Sequence, residues 1–323
     1  MKNILICSAG RRVSLVEYFK RDSKILIPGA KVFTTDLNPS MSSACLVSDN
    51  SFKVGRFSDD DYIEGLLNLC LNNEIGMVIP TIDTELLLLS QHKVSFQNKG
   101  IELIVSDESF VRKCRDKRHI NNFFLEKGFQ VPKEISREYP IFPLFIKPID
   151  GSSSQDLFLI DTSSKLSEYH RENQKLMWME YLSPKEFREF TVDLYYDREN
   201  SLKCIVPRIR IAVRGGETSK GITVKDLDLI EFIKKNLGII PGAIGCLTLQ
   251  VFQNIKNGDI YGIEINPRFG GGYPLSYLAG AHYPAWLIKE YLLHEKIEEF
   301  ESWEDKVLLL RHDAEMIIHD FDY

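Results

Sequence analysis

The sequence predicts an α/β chain built as a parallel sheet followed by a two-lobed α+β body. Two observations carry this. Short apolar runs alternate with helical periodicity as far as residue 109, and beyond Arg188 the strands lengthen and alternate polar with apolar side chains. Strand–helix alternation builds a parallel sheet with helices on both faces, and the loops at the carboxyl ends of its strands line a ligand crevice.

Taken in order, Ile4–Cys7 reads as a buried strand and Val13–Lys20 as a helix with Leu15, Val16 and Phe19 on one face. Lys31–Thr35 is the next strand, Asp59–Leu71 a helix, Met77–Pro80 a strand, Thr84–Phe96 a helix and Ile101–Val105 a strand. A helix at Asp116–Glu126 is closed by Gly128 and Pro132. Strands at Leu144–Lys147, Asp156–Ile160 and Leu176–Leu182, with a helical stretch at Ser163–Glu172, form a second, smaller unit. There follow strands Glu189–Tyr196, Ser201–Val213, Ile244–Ile255 and Ile260–Asn266, helices Lys225–Leu237 and Tyr283–His294, and a late strand region Val307–His319. The expected divisions are 1–109, 110–183 and 184–323.

Composition narrows the function classes. The 323 residues carry 40 Lys+Arg against 46 Asp+Glu, a formal net charge of −6, with no basic tract to suit nucleic acid or anionic lipid. No apolar run approaches the roughly 20 residues a spanning helix needs, and no signal peptide is read, so the expectation is a cytoplasmic protein without a membrane partner. The six cysteines are scattered with no C-x-x-C pair and no zinc-like spacing to the seven histidines, and they read as reduced thiols.

Three stretches carry candidate chemistry. Ser8-Ala9-Gly10-Arg11-Arg12 follows the first strand where a Rossmann-like fold places its phosphate loop, and Asp36 ends the second strand where a ribose-binding acid would sit. Only Gly10 of the G-x-G-x-x-G pattern is present, which leaves a nicotinamide cofactor open but poorly supported. Next, Lys147 ends a strand ahead of Gly151-Ser152-Ser153-Ser154, whose amides and hydroxyls suit phosphate oxygens beside the lysine's point charge. Finally, Glu264 and Asn266 share one face of their strand, a carboxylate and an amide oxygen suited to Mg²⁺, with Arg268 beyond and Gln250 on the preceding strand.

Gln250 joins that face only in one register. A two-residue Asn257-Gly258 turn would put it opposite Ile265 and away from Glu264. The expectation is therefore a three-residue turn, Lys256-Asn257-Gly258, with Gly258 left-handed in a bulge. Ile255 then stands opposite Asp259, Gln250 opposite Glu264 and Thr248 opposite Asn266.

Together these motifs resemble the ATP-grasp superfamily, particularly single halves of the carbamoyl phosphate synthetase large chain and D-alanine–D-alanine ligase. The resemblance runs along nearly the whole chain. It implies a pre-ATP-grasp domain, a small nucleotide-covering lobe and a large lobe with the metal and substrate site. Asp116-Lys117 resembles the first basic contact to phosphate, with Lys113 and Arg115 nearby as competitors. Lys147 with Gly151, Ser152, Ser153 and Ser154 resembles the second lysine and phosphate-covering loop, and Glu180-Tyr181-Leu182 the hinge whose backbone holds adenine. Glu189-Phe190-Thr191-Val192-Asp193 resembles the ribose strand. A longer turn, Ser183–Arg188, keeps Glu186 in competition with Glu189. Gln250, Glu264 and Asn266 match the synthetase's metal ligands, and Arg268 its phosphate arginine. Where many members carry an acid, Gln250 is neutral, which leaves more positive charge for an anionic transition state.

The implied activity uses ATP with Mg²⁺ (or Mn²⁺) to activate a small-molecule carboxylate as an acyl phosphate, releasing ADP, for attack by an amine or thiol. Arg208 and Arg210, alternate residues on one strand, are candidates to hold the carboxylate, and the Gly-rich segment 214–221 to close over substrate. The chain matches one half of a two-half synthetase, so a carboxylate–amine ligase is favoured over carbamoyl phosphate synthesis. A synthetase-like subunit acting with a partner and a non-catalytic ATP-binding protein are the alternatives, and a homodimer stays open.

Overall fold

A computed structural model describes residues 2–149, 156–215 and 217–321. Strands β1 (Asn3–Ile6), β2 (Val32–Asp36), β3 (Asn50–Lys53), β4 (Ile75–Ile79) and β5 (Glu102–Leu103) form a parallel sheet in the order β3-β2-β1-β4-β5. Ile4, Leu5 and Ile6 and every residue of β4 are buried, as central strands covered on both faces must be. Helices α1 (Val13–Leu26), α2 (Ser43–Val47), α3 (Tyr62–Asn72) and α4 (Asp83–Gln97) accompany it. Neither α2 nor β3 is expected from the sequence: one is a single turn capped by Ser42, the other a polar edge strand without alternation.

Helices α5 (Glu108–Arg115) and α6 (Lys117–Glu126) follow, the second capped by Asp116, whose carboxylate accepts from the Arg118 and His119 amides. The sequence groups 110–183 as one unit, but Phe110, Ile120, Phe123, Phe124 and Phe129 bury themselves in the core of the large sheet described next. Strands β6 (Leu144–Pro148), β7 (Phe158–Ile160) and β8 (Leu176–Glu180) make a small antiparallel sheet, with α7 (Glu168–Glu172) between the last two. Its core is Leu144, Ile146, Ile160, Leu166, Leu176 and Trp178.

The large sheet is antiparallel and six-stranded. It comprises β9 (Phe187–Tyr196), β10 (Leu202–Arg214), β11 (Glu217–Thr223), β12 (Gly245–Asn254), β13 (Ile260–Asn266) and β14 (Leu308–Leu310), ordered β13-β12-β9-β10-β11-β14. Helix α8 (Leu227–Leu237) packs Leu229, Ile233 and Leu237 on its apolar face. The chain then forms α9 (Tyr273–Leu278) and α10 (Tyr283–Leu287), the latter continuing as a π turn over Ile288–Leu292. Two expectations are corrected. Of the late strand 307–319, only Leu308–Leu310 is a strand, paired with β11; the Arg311 amide donates once more to Ser219 O before the chain turns out to solvent. Of the segment 214–221 read as a closing loop, Glu217–Thr223 is β11, hydrogen-bonded to β10, while Gly216 lies outside the described residues.

The β12–β13 hairpin meets the pairing expectation by a different route. Gln250 stands opposite Glu264 and Thr248 opposite Asn266. The turn, however, spans four residues: the Asn254 amide donates to Asp259 O at 2.8 Å, and Gly258, at φ +79°, closes back on Asn254 O. Gln253 then pairs with Ile260, and the odd residue enters as a bulge at Ile263, where the register shifts between Gln250 and Val251. Ile255 is accordingly not opposite Asp259, and its amide donates to Glu186 O instead.

Candidate functional site

Alternation along four paired strands gathers one polar face on the large sheet. Thr191 stands opposite both Gln250 and Arg208, Asp193 opposite Thr248, and Gln250 opposite Glu264. Glu189 and Arg210 extend the same face by one step of two residues. Intervening residues Phe190, Val192, Leu247, Leu249 and Ile265 point the other way into the apolar core.

The structure brings Gln250, Glu264 and Asn266 together. Gln250 Nε2 and Asn266 Nδ2 both donate to Glu264 Oε1, at 2.7 and 2.8 Å. Among the described residues no three His, Cys, Asp or Glu side chains converge, so this trio of one carboxylate and two amides is the strongest hard-oxygen set. Its donor chemistry fits Mg²⁺ or Mn²⁺, with both amides turning their oxygens inward. Lys147, 6% exposed on β6, faces it from the small sheet. Burial, and next the like charge of Lys117, push its ammonium down to about 8, against the pull of Glu264. A lysine of the small sheet, a lysine at the start of α6 and the metal-type carboxylate thus share one electrostatic neighbourhood.

The arginines are placed differently from expectation. Arg208, 1% exposed, forms a bidentate pair with Asp193 at 2.8 and 2.9 Å, and Asp193 also accepts from Ser276 Oγ at 2.5 Å. Arg208 is therefore no free substrate clamp. Arg210 pairs with Glu189, so the expected ribose acid holds a guanidinium here; its rival Glu186 is exposed and paired with Lys256 at 2.6 Å. Three buried polar atoms on this face have no hydrogen-bond partner among the described residues: Thr191 Oγ1, Arg208 Nη1 and Arg210 Nε. Orphaned donors near a hard-oxygen trio and two lysines suit the oxygens of an anionic ligand.

Arg268 reaches across to the parallel sheet, where Nη2 meets Asp83 Oδ2 at 2.7 Å. In the expected hinge, Glu180 accepts from the Lys133 amide at 3.0 Å, Tyr181 is half-buried and Leu182 buried. Gly151, Ser152, Ser153 and Ser154 lie outside the described residues. Asp36, the acid named with the nicotinamide alternative, accepts from the Gly10 amide at 3.0 Å and from the Asn38 amide at 3.1 Å.

Several neighbours escape sequence reasoning. Asp83 and Asp193 matter through partners far along the chain. Gly270-Gly271-Gly272 lets the backbone run close under the polar face: a Cβ on Gly271 would stand 2.9 Å from the Glu217 carboxyl, and one on Gly272 would strike Arg208 Nη1. The run of three glycines after Arg268-Phe269 is the signal that marks this close approach.

Comparison with known proteins agrees with this arrangement. Residues 4–104 match the family described as PylC-like, N-terminal domain, and residues 172–311 the family described as ATP-grasp in the biosynthetic pathway with Ter operon. No curated protein gives a significant match. Biotin carboxylase from Campylobacter jejuni, solved with β,γ-ATP, superposes with TM-score 0.71 at 16% identity, covering 95% of this chain and 74% of that one. L-amino acid ligase from Bacillus licheniformis gives 0.66 at 17%, covering 90% and 74%. Rhizobium etli pyruvate carboxylase gives 0.63 at 14%, where 85% of this chain spans only 27% of the larger one. Identities at this level speak for a common fold. The two family matches fall in chain order on the parallel sheet and on the large sheet, and residues 172–311 belong to an ATP-grasp family.

Proposed function

We propose that this protein is an ADP-forming ligase that joins a small-molecule carboxylate to an amine or thiol. The observation that carries the reading is the Gln250–Glu264–Asn266 cluster with Lys147 beside it. These three side chains would hold Mg²⁺ or Mn²⁺, which supplies charge neutralisation to the phosphate oxygens. Lys117 and Lys147 offset negative charge on the nucleotide, and the segment Glu180–Leu182 offers backbone to the adenine. Glu189 takes the ribose only if it releases Arg210. The small sheet, which begins at Leu144, serves as the nucleotide cover.

In the reaction a carboxylate oxygen bonds to the γ-phosphorus while its bond to the β,γ-bridging oxygen breaks, and ADP leaves. The acyl phosphate's carbonyl carbon is then attacked by the nucleophile, which loses a proton as inorganic phosphate departs. Arg268 lies two residues beyond Asn266 and steadies the transferring group; Arg208 acts as a positioning residue through Asp193 and the glycine run.

A screen of ADP release with Mg²⁺, ATP and pooled carboxylates, with and without pooled amines and thiols, tests the reading. ADP release that depends on a carboxylate is expected. Tight nucleotide binding with no carboxylate-dependent release would instead make the chain a non-catalytic nucleotide binder.

A further inference from the structure

The parallel sheet has two ends, and the candidate site touches one of them. At the carboxyl end of β4 the chain leads on to Asp83, which meets Arg268. At the amino ends of β4 and β5, away from that contact, a cavity of about 320 Å³ opens against the π turn that continues α10. Ile101, Leu292 and the Tyr291 ring give it apolar lining, Gly76 presents bare backbone, and Glu102 and His294 bring ionisable groups. A π turn is rare in helices and gathers at functional sites. This one runs out into left-handed backbone at His294, φ 58°. The Leu293 and Glu295 amides donate back to Ile288 O and Lys289 O on either side and hold it there.

Tyr291 is 4% exposed, yet its hydroxyl has no hydrogen-bond partner among the described residues. Buried hydroxyls nearly always have one, because an orphaned donor opposes folding. Burial, and then the Glu290 carboxylate, push its pKa up, so the group keeps its proton and stands as a donor. The neighbouring acids are engaged to different degrees. Glu290 accepts from Tyr195 OH at 2.9 Å and from the Arg198 amide at 2.8 Å, which occupies both of its oxygens. Half-buried Glu102 accepts through Oε1 from Arg198 Nη2 at 3.1 Å, and that guanidinium lies 4.6 Å from the centre of the Tyr291 ring. Among the described residues nothing donates to Glu102 Oε2. An apolar cavity with one spare acceptor and one spare donor is built as small-molecule sites are.

We propose that this cavity is a second, non-catalytic site for a small amine that also carries a neutral oxygen acceptor, as an amino-acid amide or an amino alcohol does. The ammonium meets Glu102 Oε2, and the oxygen accepts from Tyr291 OH. A carboxylate suits the inner end poorly, because buried Glu290 stands beside Tyr291 and would repel it. A plain alkylamine leaves the hydroxyl orphaned. Binding here is independent of the ligase reading, since no residue of the polar face takes part.

Thermal unfolding and calorimetry on the full chain, without nucleotide, test this. The probes are glycinamide, L-leucinamide and ethanolamine; methylamine keeps only the amine, acetamide only the oxygen, and glycine and L-leucine replace the amide by a carboxylate. At least one probe should raise the wild-type Tm and bind more tightly than every control. Tyr291→Phe should weaken that probe about 3- to 10-fold and leave methylamine unchanged, and Glu102→Gln should weaken it about 10- to 100-fold. Should Glu102→Gln lose stability along with its Arg198 pair, Tyr291→Phe decides alone, since it removes only a group without a partner. No Tm response to any probe, a control bound as tightly as the probes, or a probe affinity unchanged in Tyr291→Phe would overturn the proposal. The last result would put the amine elsewhere, in the nucleophile's place on the polar face.

Discussion

The two faces of the large sheet are made by the same strands at alternate residues, yet they obey opposite rules. On one face Val192, Leu247, Leu249 and Ile265 meet the phenyl rings of α6 and the leucines of α8, and each buried apolar area favours folding. On the other, Thr191, Asp193, Arg208, Gln250 and Glu264 are polar, several of them buried, and burial there opposes folding unless every charge is matched. The difference teaches that the pairs on the polar face chiefly offset a desolvation cost. What keeps such a face in place is its chemistry.

Removing one partner of the best-buried pair probes this most severely. Arg208→Ala strands Asp193 and should cost about 3–5 kcal/mol in chemical denaturation. The double replacement Arg208→Met with Asp193→Leu should recover much of that. A loss no larger than that of a surface substitution would break the contrast between the faces.

A smaller energy but a sharper functional effect is expected at Glu264. Glu264→Gln keeps shape and removes the one charge of the trio, so turnover should fall about 100- to 1000-fold while Tm scarcely moves. Wild-type turnover would remove the trio from the reaction.

The mildest effect is a pH dependence. Free Lys147 titrates near 8, below the ordinary 10.5, and phosphate prefers its ammonium form. Nucleotide affinity should then hold below pH 8 and weaken about tenfold per unit above it, measured by calorimetry, while Lys147→Gln binds weakly with no such slope. Parallel pH profiles for the two proteins would sever Lys147 from the nucleotide. Stability runs the opposite way: between about 8 and 10.5 the unfolded chain holds the extra proton, so this lysine's opposition to folding fades as pH rises.

Much of this site was legible from alternation. A parity argument alone places Gln250 opposite Glu264 and Thr248 opposite Asn266, because only an odd residue between the strands brings those side chains to one face. Where the odd residue goes is settled by tertiary packing. Phe124 of α6 sits where a Cβ on Gly262 would be, and the Gly262 amide donates to Gln130 O at 2.8 Å, so the bulge forms next to those contacts. The Arg208–Asp193 pair needs the β9–β10 register, which local propensity does not reveal. Asp83 and Arg268 stand 185 residues apart, and the docking of two sheets, which leaves no trace in periodicity, brings them together.

That docking is reciprocal. Arg12 of the parallel sheet's turn bonds Phe269 O beyond the large sheet, and Arg268 bonds Asp83 in return. Tyr277 OH donates to Asp22, the Asp107 amide to Gly242 O, and Ile4, Ile6 and Phe19 share one core with Tyr195, Val206 and Phe269. So many cross-ties make the two sheets one anvil, whereas the small sheet keeps a core of its own. Side chains that meet across two fused walls are set in place by folding itself, so a ligand bound between them would not have to assemble its own site.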